Sequence, residues 1–184
     1  MPNLKEIRNR ITSVTSTMKI TSAMKMVSAA KLKKAQDAVT AMRPYSEKLG
    51  ELMSSFYDII SSSSVSQLSE SRDIKNVLLI PICSNKGLCG AFNSNVVKKA
   101  ISLKNQSSFS KANFSFLIIG KKANDIISKT ENVISNHSSI FENINYDDTA
   151  AIVDNIIELV INGEYDNVER SYKTFKKAAI KNTM

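Results

Sequence analysis

The segment Ser84–Asn93 is the part of this chain whose residue types and spacing most resemble a chemical site. Its sequence is SNKGLCGAFN, in which two glycines flank Leu88 and Cys89 between a predicted strand and a predicted helix. Backbone amides in such a loop could meet a phosphate at the positive end of the helix dipole. The segment has neither the G-x-G-x-x-G spacing nor the terminal Gly-Lys-Ser/Thr of a P-loop, so it is weak evidence for a nucleotide site.

Nucleophilic chemistry in this chain would have to come from Cys89. A helix N-terminus and Lys86 could activate its thiol, but the one histidine, His137, lies in a loop far along the sequence. Two cysteines, Cys83 and Cys89, are too few for a disulfide framework or a zinc site, and they indicate a reducing compartment. The pair Asp147–Asp148 falls at a predicted helix start, where carboxylates stabilise the helix dipole. We therefore predict no catalytic residue, no cofactor and no metal site.

The elements that would position this segment form an α/β pattern after residue 73. Strands are predicted at Val77–Cys83, Phe114–Ile119, weakly at Val133–Ile134, and last at Val168–Phe175. Helices are predicted at Ala91–Lys104, Lys122–Ser128 and Asp147–Asn162. Strands that alternate with helices predict a mainly parallel sheet with right-handed crossovers. The predicted fold of residues 74–184 is a small Rossmann-like three-layer domain.

Residues 1–60 predict a long helix instead. Its apolar residues first alternate spacings of three and four, which is the a/d seam of a coiled coil: Leu4, Ile7, Ile11, Val14 and Met18. The seam then slips to Ile20, Met24 and Val27. At about 1.5 Å per residue the helix would be roughly 85 Å long, and Pro44 should kink or restart it. The serine-rich residues 61–73 predict a linker.

The charge of the chain is concentrated at its start. The whole chain carries a net charge of +8, and residues 1–43 contain nine Lys or Arg against Glu6 and Asp37. That asymmetry favours an acidic partner for the helix. One alternative is a nucleic-acid-binding protein, although the charge is spread along the helix and no aromatic residue precedes Tyr45. The sequence contains no signal-peptide pattern and no apolar run long enough to span a membrane, so we expect neither secretion nor a transmembrane segment.

Four motifs, in order along the chain, resemble the gamma subunit of F-type ATP synthase. They are NLKEIRNRITSV at 3–14, KITSAMKMVSAAKLKKAQ at 19–36, RPYSEKL at 43–49 and SNKGLCGAFN at 84–93. The resemblance covers the whole chain but only about the first three-fifths of the family's usual length. In that family the N-terminal helix pairs with a C-terminal helix in an antiparallel coiled coil above an α/β foot. The resemblance therefore implies that residues 1–60 are one half of a coiled coil whose other half is absent here.

The resemblance implies a central-stalk rotor subunit, which couples proton translocation through the membrane sector to ATP synthesis or hydrolysis at the alpha-beta sites. Its partners would be the alpha, beta and epsilon subunits and the membrane c-ring, with no nucleic acid. Catalytic residues and nucleotide would belong to those partners. The subunit would be held by them at the cytoplasmic face of a bacterial inner membrane.

The resemblance also assigns two groups of contact residues. The surface facing the alpha-beta ring would comprise Arg8, Met24, Lys25, Met26, Val27 and Lys31. The side facing the foot, epsilon and the c-ring would comprise Lys86, Gly87, Leu88, Cys89 and Gly90. Where the family usually has Asp-Arg before GLCG, this chain has Asn85 and Lys86, so an ion pair there is in doubt. A third class, a cysteine-dependent enzyme, would require a reactive Cys89.

Overall fold

The chain forms two units in the computed structural model, which describes residues 3–62, 68, 72–106, 109, 112–177 and 180–183. The first unit, Met1–Val65, contains a single helix, α1 (Leu4–Ser62). The second unit, Ser66–Met184, is an α/β domain. The predicted combination of a long helix and a small α/β domain is confirmed. Of the predicted linker, residues 63–67 and 69–71 lie outside the described residues.

Helix α1 is continuous for 59 residues and contains Pro44 in its interior. The helix therefore does not restart at this proline, and the other predicted effect, a kink, stays a prediction. Proline removes only one intrahelical hydrogen bond, and good helix formers such as Ala41, Met42 and Glu47 hold the turns on either side. Hydroxyl side chains are satisfied locally as well, since Thr15 Oγ1 donates to the Ile11 carbonyl at 2.8 Å. Such local bonds let a helix rich in threonine form without polar partners from other elements.

The second unit is built from parallel strands with helices on both faces. Its elements are β1 (Asn76–Pro81), α2 (Phe92–Lys104), β2 (Asn113–Ile118), α3 (Lys121–Ile127), β3 (Val133–Asn136), a short 3-10 helix (Ser138–Phe141), α4 (Tyr146–Ile161), β4 (Asn167–Ser171), β5 (Lys173–Lys177) and β6 (Ile180–Thr183). The first four strands form one parallel sheet in the order β3-β2-β1-β4. The predicted parallel sheet is confirmed.

The core lies on both faces of β1, as its unbroken apolar sequence requires. Val77 and Leu79 pack with α2 and α3, while Leu78 and Ile80 face the opposite side, where Ile152 of α4 packs. Side chains alternate in this way because successive residues of a strand point to opposite faces. Helix α2 presents its apolar residues at spacings of three and four toward the first face: Val96, Val97, Ala100 and Leu103.

The end of the chain differs from the prediction. The single strand predicted at Val168–Phe175 is instead β4 and β5, separated at Tyr172. Strand β4 ends where the Ser171 carbonyl accepts from Ile82 N at 2.9 Å, and β5 then pairs antiparallel with β6 in a separate two-stranded sheet. The sequence alternates through this point, so its pattern alone could not show that the chain leaves one sheet for another.

Asp166 fastens the turn before β4 to the start of β1. Its Oδ2 atom accepts from the backbone N–H groups of Lys75 and Asn76, each at 2.9 Å. The hydrogen bonds from Asn76 and Lys75 hold the pKa of the Asp166 carboxyl below its usual range. Arg72 caps the C-terminal end of α4, because its guanidinium donates to the Val160 carbonyl at 3.0 Å.

Candidate functional site

Asn93 organises the loop between β1 and α2. The side chain is buried, and its Oδ1 accepts from Ser84 N at 3.1 Å and from Ser84 Oγ at 3.0 Å. Its Nδ2 donates to the Lys86 carbonyl and to Cys89 Sγ, each at 3.3 Å. One amide side chain therefore supplies hydrogen-bond partners at three positions of the loop. The sequence analysis did not identify this role, because an asparagine beside glycines gives no signal beyond a turn.

The tip of the loop presents an apolar side chain to solvent. Leu88 is fully exposed and has a φ of +58°, and Gly90 has a φ of +61°. Glycine adopts this left-handed backbone without penalty, whereas leucine rarely does. A fully exposed leucine in that conformation gains nothing from the folded domain itself. Its geometry therefore favours a contact with another molecule.

The candidate nucleophile and base are not brought together. Cys89 is an exposed free thiol whose sulfur accepts from Asn93. His137 instead has its Nε2 atom 3.1 Å from Ser135 Oγ, at the end of β3. The pair Asp147–Asp148 lies in the first turn of α4, as predicted, where Asn145 caps the helix by accepting from Asp148 N at 2.8 Å. Among the described hydrogen bonds, none joins Cys89 to His137 or to the pair Asp147–Asp148.

Asn85 joins two neighbouring segments to the loop. Its Nδ2 donates to the Ser138 carbonyl at 2.7 Å, and its Oδ1 accepts from Lys121 N at 2.9 Å. An amide can both donate and accept, whereas an aspartate carboxylate can only accept. The amide at this position thus supports a hydrogen-bonded link that the carboxylate expected from the family motif could not make in the same geometry.

A close approach between the ends of β1 and β2 holds the base of the loop. Cys83 is buried, and its sulfur accepts from Ala123 N at 3.0 Å. Burial raises the pKa of the Cys83 thiol. Gly120 has a φ of +118°, and a Cβ atom there would lie only 2.8 Å from Cys83 Sγ and would also overlap the Cys83 carbonyl. This glycine is therefore required both for its backbone conformation and for the close packing.

The residues predicted to face the alpha-beta ring all lie on α1 and are exposed. At about 100° per residue, Met24, Val27 and Lys31 share one side of the helix, while Arg8 and Met26 lie about 130° around the helix from them. The predicted group therefore surrounds the helix rather than forming one face. Lys25 lies between these two sides.

Two apolar stripes run along α1. The seam residues Leu4 and Met18 are 74% and 64% exposed, and Met24 and Val27 of the second stripe are 66% and 56% exposed. On a straight helix at about 100° per residue, the second stripe lies about 160° around the helix from the first. The slip of the apolar seam that the sequence predicts therefore moves the seam to another side of α1. Each side leaves apolar area in water, which is unfavourable by about 25 cal/mol per Å².

The described residues form neither a metal-binding cluster nor a membrane-spanning helix. Over that part of the chain, no three His, Cys, Asp or Glu side chains are grouped closely enough to hold a metal ion. None of the helices described there is both long enough and apolar enough to cross a membrane.

Comparison with known proteins gives matches along nearly the whole chain. Residues 3–184 match the protein-family model described as ATP synthase. The ATP synthase gamma chain of Flavobacterium johnsoniae is 53% identical over 180 residues, which cover 97% of this chain and 62% of that relative. The gamma chain of Cytophaga hutchinsonii is 40% identical over 183 residues, with 97% and 62% covered. This chain thus spans about 62% of the length of the relatives it matches.

Two solved structures share the fold. A chain of the central stalk and c-ring of Tetrahymena thermophila mitochondrial ATP synthase superposes with a TM-score of 0.63 at 29% identity, covering 90% of this chain and 70% of that one. A chain of the rotor of Euglena gracilis mitochondrial ATP synthase gives a TM-score of 0.51 at 18% identity, covering 96% and 59%. These matches give no support to the nucleic-acid alternative.

Proposed function

The chain belongs to the ATP synthase gamma-chain family, and on that basis we propose that it acts as a central-stalk rotor subunit. In this function it couples proton translocation through the membrane sector to ATP synthesis or hydrolysis at sites between the alpha and beta subunits. It contributes no catalytic group of its own. Its partners are the alpha and beta subunits, the epsilon subunit and the membrane c-ring.

The observation that carries this proposal is the exposure of α1 on two sides. One apolar stripe, beginning at Leu4, has the a/d spacing that a partner helix would cover. The other, around Met24 and Val27, remains available for a second surface. A shaft that turns inside a ring needs both a paired helix for stiffness and a second surface that meets the ring. The excess of Lys and Arg on α1 favours acidic groups on that ring.

The loop Lys86–Gly90 is proposed to contact a partner at the foot of the stalk, on the side of epsilon and the c-ring. Leu88 supports this assignment, because it has a left-handed backbone conformation and its side chain is fully exposed, so it does not contribute to the core of the domain. An apolar side chain held out from a hydrogen-bonded loop is suited to insertion into a partner's pocket. Attachment to the membrane, at the cytoplasmic face of a bacterial inner membrane, would then occur through partners.

Assembly with purified alpha and beta subunits tests the proposal. The chain is mixed with both subunits at low and at moderate salt, and co-elution is followed by size-exclusion chromatography. We expect a complex that contains all three chains. The double variant Lys25→Glu/Lys31→Glu on α1 should weaken assembly, whereas Lys98→Glu/Lys129→Glu, with the same charge change on exposed positions of the α/β domain, should not.

The outcome that opposes the proposal is equally specific. Equal assembly of both double variants would show that α1 is not the contact surface. Salt-sensitive binding to DNA without any association with alpha and beta would instead favour a nucleic-acid-binding protein.

A further inference from the structure

A crevice of 750 Å³ opens in the α/β domain where β1 and β4 end. The sheet order β3-β2-β1-β4 means that the chain moves outward from β1 through β2 to β3 and then returns to the other side of β1. In open parallel sheets, such a reversal leaves a crevice beyond the carboxyl ends of the two central strands, where small molecules bind. The volume falls in the range of about 300–1,000 Å³ that is typical of such sites.

Two lysines line this crevice. Lys173 has its Nζ atom 5.8 Å from the centre of the Phe92 ring, which also lines the crevice. Lys86, from the loop after β1, is the other cation of the lining. Within the described part of the chain, no carboxylate lies within ion-pair distance of Lys86 or Lys173. An aromatic face holds a cation in place without neutralising its charge.

The balance of charge and apolar surface indicates the class of ligand. Glu142 is the acidic residue in the lining, so Lys86 and Lys173 leave a net excess of one positive charge. A phosphate monoester carries about −1.5 to −2 at pH 7 and offers three acceptor oxygens. Ile82 and Phe141 provide an apolar wall on which the rest of a ligand could lie.

We propose that this crevice binds a phosphorylated small molecule of about mononucleotide size. The phosphate is bound by Lys173 and Lys86, and the apolar part of the ligand packs against Ile82 and Phe141. This site goes beyond the rotor function, because assembly through α1 does not require it. The loop sequence alone did not predict it, since one of its two cations, Lys173, comes from the distant start of β5.

The test uses AMP, adenosine and inorganic phosphate as probes, with affinities from isothermal titration calorimetry of the full chain at fixed ionic strength. We expect AMP to bind at least about tenfold more tightly than either adenosine or phosphate, because adenosine lacks the charge-assisted contacts and phosphate lacks the apolar contacts. Lys173→Gln should weaken AMP binding at least about tenfold, and Lys173→Arg should restore most of it. Lys86 is left unchanged, because it also belongs to the proposed partner-contact loop.

Two control variants separate this site from nonspecific attraction to a basic chain. Lys98→Gln removes an exposed cation from α2, and Lys25→Gln removes one from α1. Both should leave AMP affinity within about twofold, while hydrogen exchange of the β1 and β2 amides checks that the α/β domain of every variant is folded. Undetectable AMP binding at millimolar concentration, equal loss in the controls, or equal affinity for phosphate and AMP would overturn the proposal.

Discussion

Substitution of Gly120 by alanine should destabilise the α/β domain far more than the same substitution at Gly163. Gly120 has a φ of +118°, and an added Cβ atom would overlap the Cys83 carbonyl and lie 2.8 Å from Cys83 Sγ. Gly163 also has a positive φ, +76°, but nothing lies within 4 Å of an added Cβ atom. Both variants therefore carry a conformational penalty, which is larger at Gly120 because its φ of +118° and ψ of 135° lie outside the left-handed helical region, and only Gly120→Ala adds the steric overlap.

The expected magnitudes follow from that difference. A left-handed non-glycine residue costs about 1–2 kcal/mol, which is the expected loss for Gly163→Ala. Gly120→Ala adds overlap with backbone atoms that are held by the hydrogen bond from Cys83 N to the Ile119 carbonyl at 2.9 Å, so its total loss should reach at least about 4 kcal/mol. That loss is a large part of the about 5–15 kcal/mol by which domains are usually stable.

The assay is hydrogen exchange of the β1 and β2 amides as a function of urea. It reports on the domain alone, whereas the circular dichroism of the whole chain would be dominated by α1. The double variant Cys83→Ala/Gly120→Ala serves as a further control, and it should regain little stability because the overlapping carbonyl remains. Equal losses in the two single alanine variants, or full recovery in the double variant, would refute the steric argument.

Three other predictions concern the hydrogen bonds that hold the loop and the strand ends. Asn93→Ala should lower the unfolding free energy, measured by urea titration, by about 2–3 kcal/mol, since several loop groups lose their hydrogen-bond partners. The control Ser94→Ala, at an exposed neighbouring position, should change the unfolding free energy by less than about 0.5 kcal/mol in the same titration. Asn85→Asp should cost about 1–3 kcal/mol at pH 7, because a carboxylate cannot donate to the Ser138 carbonyl; retained stability would contradict the donor role. The pKa of Asp166 is depressed by folding, so its stabilising effect should be present above its unfolded pKa and disappear as the pH falls through the folded value. Thermal unfolding of the wild type and Asp166→Asn from pH 7 to pH 2 should therefore converge at low pH, and parallel curves would exclude this linkage.

The central strands and most helices could be predicted from the sequence, because the spacing of their apolar residues indicates which faces are buried. Val77 to Ile80 are apolar without interruption, as a strand covered on both faces must be. Helix α2 carries Val96, Ala100 and Leu103 at the spacing of one buried face. Strands β5 and β6 were harder to predict from the sequence. Their segments, KTFKK and IKNT, are polar and acquire strand structure by pairing with each other.

The candidate sites show the same division. The apolar seam of α1 could be predicted from the spacing of its residues, which are exposed in the structure. The hydrogen bonds of Asn93 and Asn85 could not, because they depend on backbone groups that folding brings together from several segments. The proximity of the crevice cations could not be predicted from the sequence either. Lys86 and Lys173 come close together only because β1 pairs with β4 in the parallel sheet.

Photo-cross-linking from α1 in a mixture with purified alpha, beta and epsilon subunits tests the rotor function most directly. A photoreactive amino acid is placed at Val27 in one variant and at Lys98, an exposed position of α2, in a matched one. The rotor function predicts adducts with alpha or beta from Val27 and a much lower yield of those adducts from Lys98. Equal yields at both positions, or no alpha or beta adduct from Val27, would contradict the proposal that α1 is the shaft inside the ring.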